Sequence, residues 1–125
     1  MVLFNPALNL TLLTDRKVLG ATGDDIAKTI SPTLFLTKDA PPAIIFFGTG
    51  DKMLAMGTEY VAKAKELGVK AEMHTAADQP HGFFNKAPWA QATVKKTDEF
   101  LVSLGYLKGE STIMVPGGAE LKVAK

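Results

Sequence analysis

The clearest hydrophobic signal in the chain is the uninterrupted run Ala43-Ile44-Ile45-Phe46-Phe47, bounded by Pro41-Pro42 before it and Gly48 after it. A run with no polar interruption predicts a strand covered on both faces, as in a parallel sheet. Over 53–67 the rhythm changes, and Leu54, Gly57, Tyr60, Val61, Ala64 and Leu67 recur at spacings of three and four. That spacing predicts an amphipathic helix, with Gly68 as its C-terminal stop. Residues 69–75 (Val-Lys-Ala-Glu-Met-His-Thr) alternate apolar with polar, which predicts a more exposed edge strand. A loop over 76–87 leads to a second helix starting at Pro88. Trp89, Ala92, Phe100, Leu101 and Leu104 share one face of that helix, and Gly105 ends it. Strand, helix, strand and helix joined by short links predict a right-handed parallel βαβα unit.

The flanks are less regular. Val2-Leu3-Phe4 is a short apolar run ended by Asn5-Pro6, and Leu8, Leu10, Leu12 and Leu13 have mixed spacing. Thr22-Gly23-Asp24-Asp25 reads as the cap of a short helix and Ser31-Pro32 as the start of another. Lys38-Asp39-Ala40-Pro41-Pro42 is a polar break held extended by its prolines. From Lys108 onward the pattern predicts an appended strand or arm, with 112–115 as its short apolar run. The expected fold is therefore α/β, with about three parallel strands and flanking helices over 1–110 and a tail over 111–125. A strand opening almost at residue 1 has no upstream element to pair with, which is unusual for a natural domain.

Composition narrows the possibilities. A chain of 125 residues is one domain, able to bury roughly two thirds of its unfolded surface. Its 46% hydrophobic content is that of a packed core. Fourteen basic against thirteen acidic side chains leave a net charge of +1, so no basic field exists to attract nucleic acid. The absence of cysteine excludes disulfides, thiolate metal sites and a cysteine nucleophile, while leaving the compartment open. No apolar run reaches the roughly 18 residues needed to span a bilayer, and the N-terminus lacks a signal-peptide pattern. A signal upstream of Met1 would make the compartment secreted or periplasmic.

Two residues carry the chemistry. Asp51 follows the 43–47 run through Gly48-Thr49-Gly50, and His81 lies in the loop Gln79-Pro80-His81-Gly82-Phe83-Phe84 after the next strand. In open α/β sheets, ligand and catalytic groups cluster beyond the carboxyl ends of the strands. Both residues therefore project from one rim, on strands roughly 5 Å apart. A carboxylate accepting the imidazole Nδ1–H fixes the tautomer and leaves Nε2 free to take a proton from a hydroxyl. An acid followed by a histidine at the ends of consecutive βα units is the latter half of a Ser…Asp…His order. No serine here lies in a Gly-x-Ser-x-Gly turn. Gly82 allows a sharp backbone turn beside the histidine, and Phe83-Phe84 can pack that loop down.

Blander readings stand beside this one. Asp51 is also placed to be a turn residue or helix cap, and a loop histidine is often merely solvated. Asp78, in the same loop, is a rival acid that would need a tight bend to reach the ring. His74, inside the alternating strand, reads as solvent-facing. Gly48-Thr49-Gly50, with Glu72 at the distance of a ribose-binding acid, resembles a dinucleotide fingerprint, but Met53 occupies the third glycine position. No cofactor is expected. Two histidines seven residues apart, with no third ligand at fitting spacing, give no support for a metal. Met53, Met56 and Met73 read as core filler, and Glu59, Lys63, Lys65 and Glu66 as a solvated helix face. Ser31, Ser103 and Ser111 lack the flanks that expose a nucleophile.

Several blocks together carry a family resemblance. They are Phe4-Asn5-Pro6, Ser31-Pro32, the stretch from Pro41-Pro42 to Gly50-Asp51, Pro80-His81-Gly82-Phe83-Phe84-Asn85, Phe100-Leu101 and Leu104-Gly105-Tyr106-Leu107. Over about residues 1–110 the chain resembles the C-terminal portion of an α/β-hydrolase fold esterase, of the acetyl-xylan-esterase-like and carboxylesterase-like lipolytic group. The resemblance implies a partial α/β-hydrolase fold with Asp51 as triad acid and His81 as triad base. It makes 2–6 the strand after the nucleophile strand, and 43–47 and 69–75 the last two strands of the sheet. The serine elbow and oxyanion loop of that family lie upstream of the matched segment. The chain is then expected to be part of a serine ester hydrolase acting on small esters, completed by a complementary N-terminal chain or assembled as a homo-oligomer. The alternative is a non-catalytic fragment or assembly module with a relic Asp–His pair.

Overall fold

The computed structural model of the protein describes residues 1–13, 20 and 23–124. Its sheet has the order β1 (Val2–Phe4), β2 (Ala43–Gly48), β3 (Ala71–Ala76) and β4 (Lys122–Val123). The first three strands are parallel, and β4 runs antiparallel to β3. Three main helices accompany it: α1 (Gly23–Thr29), α2 (Leu54–Glu66) and α3 (Trp89–Ser103). The three parallel strands and the flanking helices are those expected of a partial α/β-hydrolase fold. The mixed character comes from the tail, whose strand lies at Lys122–Val123 and not at 112–115.

All six residues of β2 are buried, which is why its sequence has no polar interruption. Ala43, Ile45 and Phe47 face one way, with Leu8, Met73 and Met56 and Tyr60 of α2. Ile44 and Phe46 face the other, with Ala76, Phe83, Leu121 and Ala92 and Phe100 of α3. Each large apolar side chain buried this completely contributes about 1.5–3 kcal/mol. The expected face of α3 is the packed one, joined by buried Thr93, whose hydroxyl donates to the Trp89 carbonyl at 2.9 Å. Both long helices end as expected, with Gly68 (φ 71°) and Gly105 (φ 77°) in the left-handed conformation. The helix foreseen after Thr22 is α1, although Thr22 itself lies outside the described residues.

Three expectations need correction. β3 is not the sheet edge, because β4 pairs with it at His74 and Thr75. His74 is accordingly 4% exposed, not solvent-facing. Its ring lies 6.1 Å from that of Phe46, and its Nε2 is 3.1 Å from Glu72 Oε1. Alternation within one strand carries no information about a tail that returns nearly fifty residues later. Glu59 also departs from the solvated face, since it is half-buried and accepts a hydrogen bond from Asn9 Nδ2 at 2.6 Å. The stretch after β1 is better ordered than its spacing suggested. Thr33 N donates to the Leu8 carbonyl at 2.9 Å, and Leu10 N donates to Ser31 Oγ at 2.8 Å.

Close backbone approaches require two glycines. A Cβ on Gly57 of α2 would lie 2.6 Å from both Met73 Sδ and the Phe47 ring. Alanine is favoured over glycine in a helix by about 1 kcal/mol, but overpacking against a fully buried ring costs about 1–3 kcal/mol. Gly57→Ala should therefore lower stability by about 1 kcal/mol, read as a reduced urea midpoint. A Cβ on Gly48 would lie 2.0 Å from the carbonyl oxygen of Gln79. That obstacle is backbone, so no rotamer change relieves it. Gly48→Ala should cost about 3 kcal/mol or more and displace the 79–82 loop. Large amide shifts at 79–82 in Gly48→Ala, and small ones there in Gly57→Ala, would check both expectations.

Candidate acid–base site

The C-terminal ends of the parallel strands form one rim, and the chain leaves it in loops stitched to one another. Thr49 N donates to the Ala76 carbonyl at 2.9 Å, and Gly50 N donates to the Gln79 carbonyl at 3.0 Å. Asp78 N donates to Thr49 Oγ1 at 2.7 Å. The glycines of Gly48-Thr49-Gly50 thus make room for the Gln79 backbone, which supplies a structural reason for the motif that resembled a dinucleotide fingerprint. Glu72, the acid of that alternative, contacts His74.

These loops bring Asp51 and His81 together. His81 Nδ1 lies 3.0 Å from Asp51 Oδ2. The Asp51 side chain is 2% exposed, whereas that of His81 is 61% exposed. An ionised carboxylate only accepts hydrogen bonds, so the nitrogen facing it is the one that carries a proton, and in a neutral ring Nε2 is then the acceptor. Asp78 is exposed, with a left-handed backbone (φ 58°), and its backbone N–H serves the β2 loop. Asp51, not Asp78, faces the ring. Asp51 is also a turn residue: Oδ1 accepts from Met53 N at 2.8 Å, and its carbonyl accepts from Leu54 N at 3.1 Å. One side chain thus serves the turn and meets the His81 ring.

The histidine loop is held from below. Gly82 has φ 78°, a conformation glycine adopts without a Cβ penalty. Phe83 is buried and packs edge-on against Trp89 at 5.9 Å. Phe84 reaches Phe4 of β1 at 4.8 Å. An open cleft of about 930 Å³ adjoins the pair, with Leu12, Leu13, Met53 and Met56 on its apolar side and Lys52 near the acid. Met56 and Met73 are core residues, while Met53 is half-buried and borders the cleft.

Asn5 ends the first apolar run and belongs to a block of the family resemblance, but the sequence pattern assigned it no role at the site. It is buried, its Nδ2 donates to Asp51 Oδ2, and its Oδ1 accepts from Gly82 N at 3.1 Å. The signal was available: a polar residue directly past a strand lies on the same rim as Asp51. The serines have structural partners. Ser31 is fully buried and donates to the Ala27 carbonyl. Ser103 donates to the Phe100 carbonyl at 2.7 Å, and Ser111 to Asp98 Oδ2 at 2.9 Å. Among the described residues, no group of three or more His, Asp or Glu is placed to hold a metal ion, and no helix is long and apolar enough to cross a membrane.

No protein-family model matches the sequence, and no curated protein matches it. Solved structures do. The esterase 2 of Thermogutta terrifontis phosphonylated by sarin matches with a TM-score of 0.72 and 30% identity, over 87% of this chain and 45% of that one. The propionate-bound form of this thermophilic esterase from a Planctomycetes species matches with a TM-score of 0.71 and 28% identity, over 88% and 44%. Its native form matches with a TM-score of 0.69 and 27% identity, over 94% and 44%. The chain spans less than half the length of these structures. Their agreement with the strand order and helices above identifies the fold: this chain is similar to the C-terminal portion of an α/β-hydrolase fold esterase.

Proposed function

We propose that this chain supplies the acid and base of a Ser-His-Asp triad in a carboxylic ester hydrolase, with Asp51 as the acid and His81 as the base. The observation that carries this reading is the 3.0 Å contact between a buried carboxylate and Nδ1 of an exposed ring whose Nε2 points away from it. A serine hydroxyl from outside this chain gives its proton to Nε2 as its oxygen attacks the ester carbonyl carbon. The imidazolium, stabilised by Asp51, returns that proton to the departing alcohol oxygen as the carbon–oxygen bond breaks. Water repeats the cycle on the acyl-enzyme. Phosphonylation of the similar esterase by sarin is the chemistry of an activated nucleophile. Its propionate and butyrate complexes support short acyl esters as the substrate class.

The chain alone should hydrolyse p-nitrophenyl acetate no faster than an exposed imidazole, because the nucleophile and oxyanion donors supply most of the rate. Co-expressed with an N-terminal α/β-hydrolase half carrying a serine elbow, it should gain sustained turnover. Asp51→Asn should then reduce that turnover by roughly 10⁴-fold, through the wrong histidine tautomer. Reconstituted turnover indifferent to both Asp51→Asn and His81→Ala would defeat the acid–base reading and leave an assembly module with a relic pair.

The sheet supports a partner beside β1. The outer side of β1 has no strand beside it among the described residues, and Phe4 is partly exposed. Free N–H and C=O groups beside apolar side chains favour strand addition. The occupant we propose is the complementary N-terminal portion of the same fold, paired along residues 2–6. In its absence the chain should self-associate at micromolar concentration, as measured by light scattering. A well-folded monomer would contradict this.

A further inference from the structure

Asn5 occupies an unusual position. It follows β1 directly, is 5% exposed and has φ 43°, although it precedes Pro6. A residue before proline is normally extended, so the left-handed backbone of Asn5 is unusual at this position even though asparagine enters that region more readily than most residues. Its backbone N–H donates to the Phe46 carbonyl at 2.9 Å and so continues the β1–β2 ladder. Both ends of its side-chain amide have partners in different loops: Nδ2 donates to Asp51 Oδ2, and Oδ1 accepts from Gly82 N at 3.1 Å. The Gly82 N–H fixes which end is the oxygen, so the amide presents its NH₂ to the carboxylate. Asp51 Oδ2 therefore receives hydrogens from Asn5 and His81, while Oδ1 receives one from Met53 N. Three donors set the carboxylate plane, and one of them also grips the residue next to the histidine. Backbone outliers of this kind cluster where geometry serves a site.

We propose that Asn5 is a positioning residue, a clamp from the end of β1 that holds the Asp51 carboxylate and the His81 loop in register. The proposal rests on the acid–base reading above. Without the clamp, the carboxylate loses a donor on the oxygen that faces the ring and the loop loses its anchor at Gly82. The imidazole is then free to rotate and change tautomer.

The test uses the full 125-residue chain, with the ring nitrogens of His81 and the amide of Gly82 followed by NMR at alkaline pH. Wild type should show a dominant Nδ1–H tautomer and a protected Gly82 amide. Asn5→Gly removes the amide while keeping the left-handed backbone accessible. It should move His81 toward the tautomer mixture of a free imidazole and speed Gly82 exchange about tenfold. Asn5→Asp keeps an acceptor for Gly82 N–H but sets an oxygen against Asp51 Oδ2. Like charges should turn the Asp51 carboxylate aside, so Gly82 protection persists while the tautomer bias falls. That bias retained in both folded variants would overturn the role of Asn5 alone. Loss of the fold in both would assign Asn5 to folding and overturn the proposal as well. A wild-type chain with no Nδ1–H bias would overturn the acid–base reading itself.

Discussion

The parallel register of the first three strands is the constraint on which the rest of the molecule depends. Phe4 lies abreast of Phe46, and Phe46 abreast of His74. Because the strands run the same way, all three loops carrying Asn5, Asp51 and His81 leave the sheet at one rim. A slip of one residue would move a strand about 3.3 Å and reverse the faces of its side chains. That distance exceeds the 3.0 Å separating His81 Nδ1 from Asp51 Oδ2. The core enforces the register through fit, because Ala43, Ile45 and Phe47 pack against one set of partners and Ile44 and Phe46 against another.

The helices bear on the site through the same strand. Tyr60 and Met56 of α2 cover one face of β2, and Phe100 and Ala92 of α3 cover the other. Close approach is tolerated where side chains are absent: Gly57 lets α2 settle onto Phe47 and Met73, and Gly48 lets the Gln79 backbone cross the end of β2. The second contact matters most for chemistry, since it brings the histidine loop over the loop that carries the acid. The packing of Phe83 on Trp89 and of Phe84 on Phe4 then ties that loop to α3 and to β1.

The pair itself is asymmetric in its exposure to water. A carboxylate 2% exposed needs hydrogen-bond donors to offset its lost hydration. It has them from Met53, Asn5 and His81, which enter from its own loop, from β1 and from the loop after β3. The histidine keeps most of its side chain in solvent, where its outward nitrogen is accessible to a reacting group. On the proposed reading, a dry, fixed carboxylate behind a solvent-exposed imidazole is the arrangement that would hold one tautomer while leaving proton transfer open.

Much of this was legible in local pattern. The uninterrupted 43–47 run, the three- and four-residue spacing of 53–67 and the face from Trp89 to Leu104 each depend on contacts a few residues apart, and each became the element it implied. The closeness of Asp51 and His81 was legible because a strand end is a local event and strand ends in parallel sheets share a rim. Asn5 was equally local but was read as punctuation, since nothing in its neighbourhood shows that its amide reaches residues 46 and 77 positions away. His74 and Glu59 were misjudged for the same reason, their burial being imposed by the returning tail and by Asn9. The sequence by itself determined the main parallel strands and long helices and which polar residues stand at their ends, because periodicity and turn chemistry act over short separations. Only the tertiary structure decided which of those polar groups are dry and which bond to one another, because burial and hydrogen bonding are decided by segments that meet only after the chain has folded.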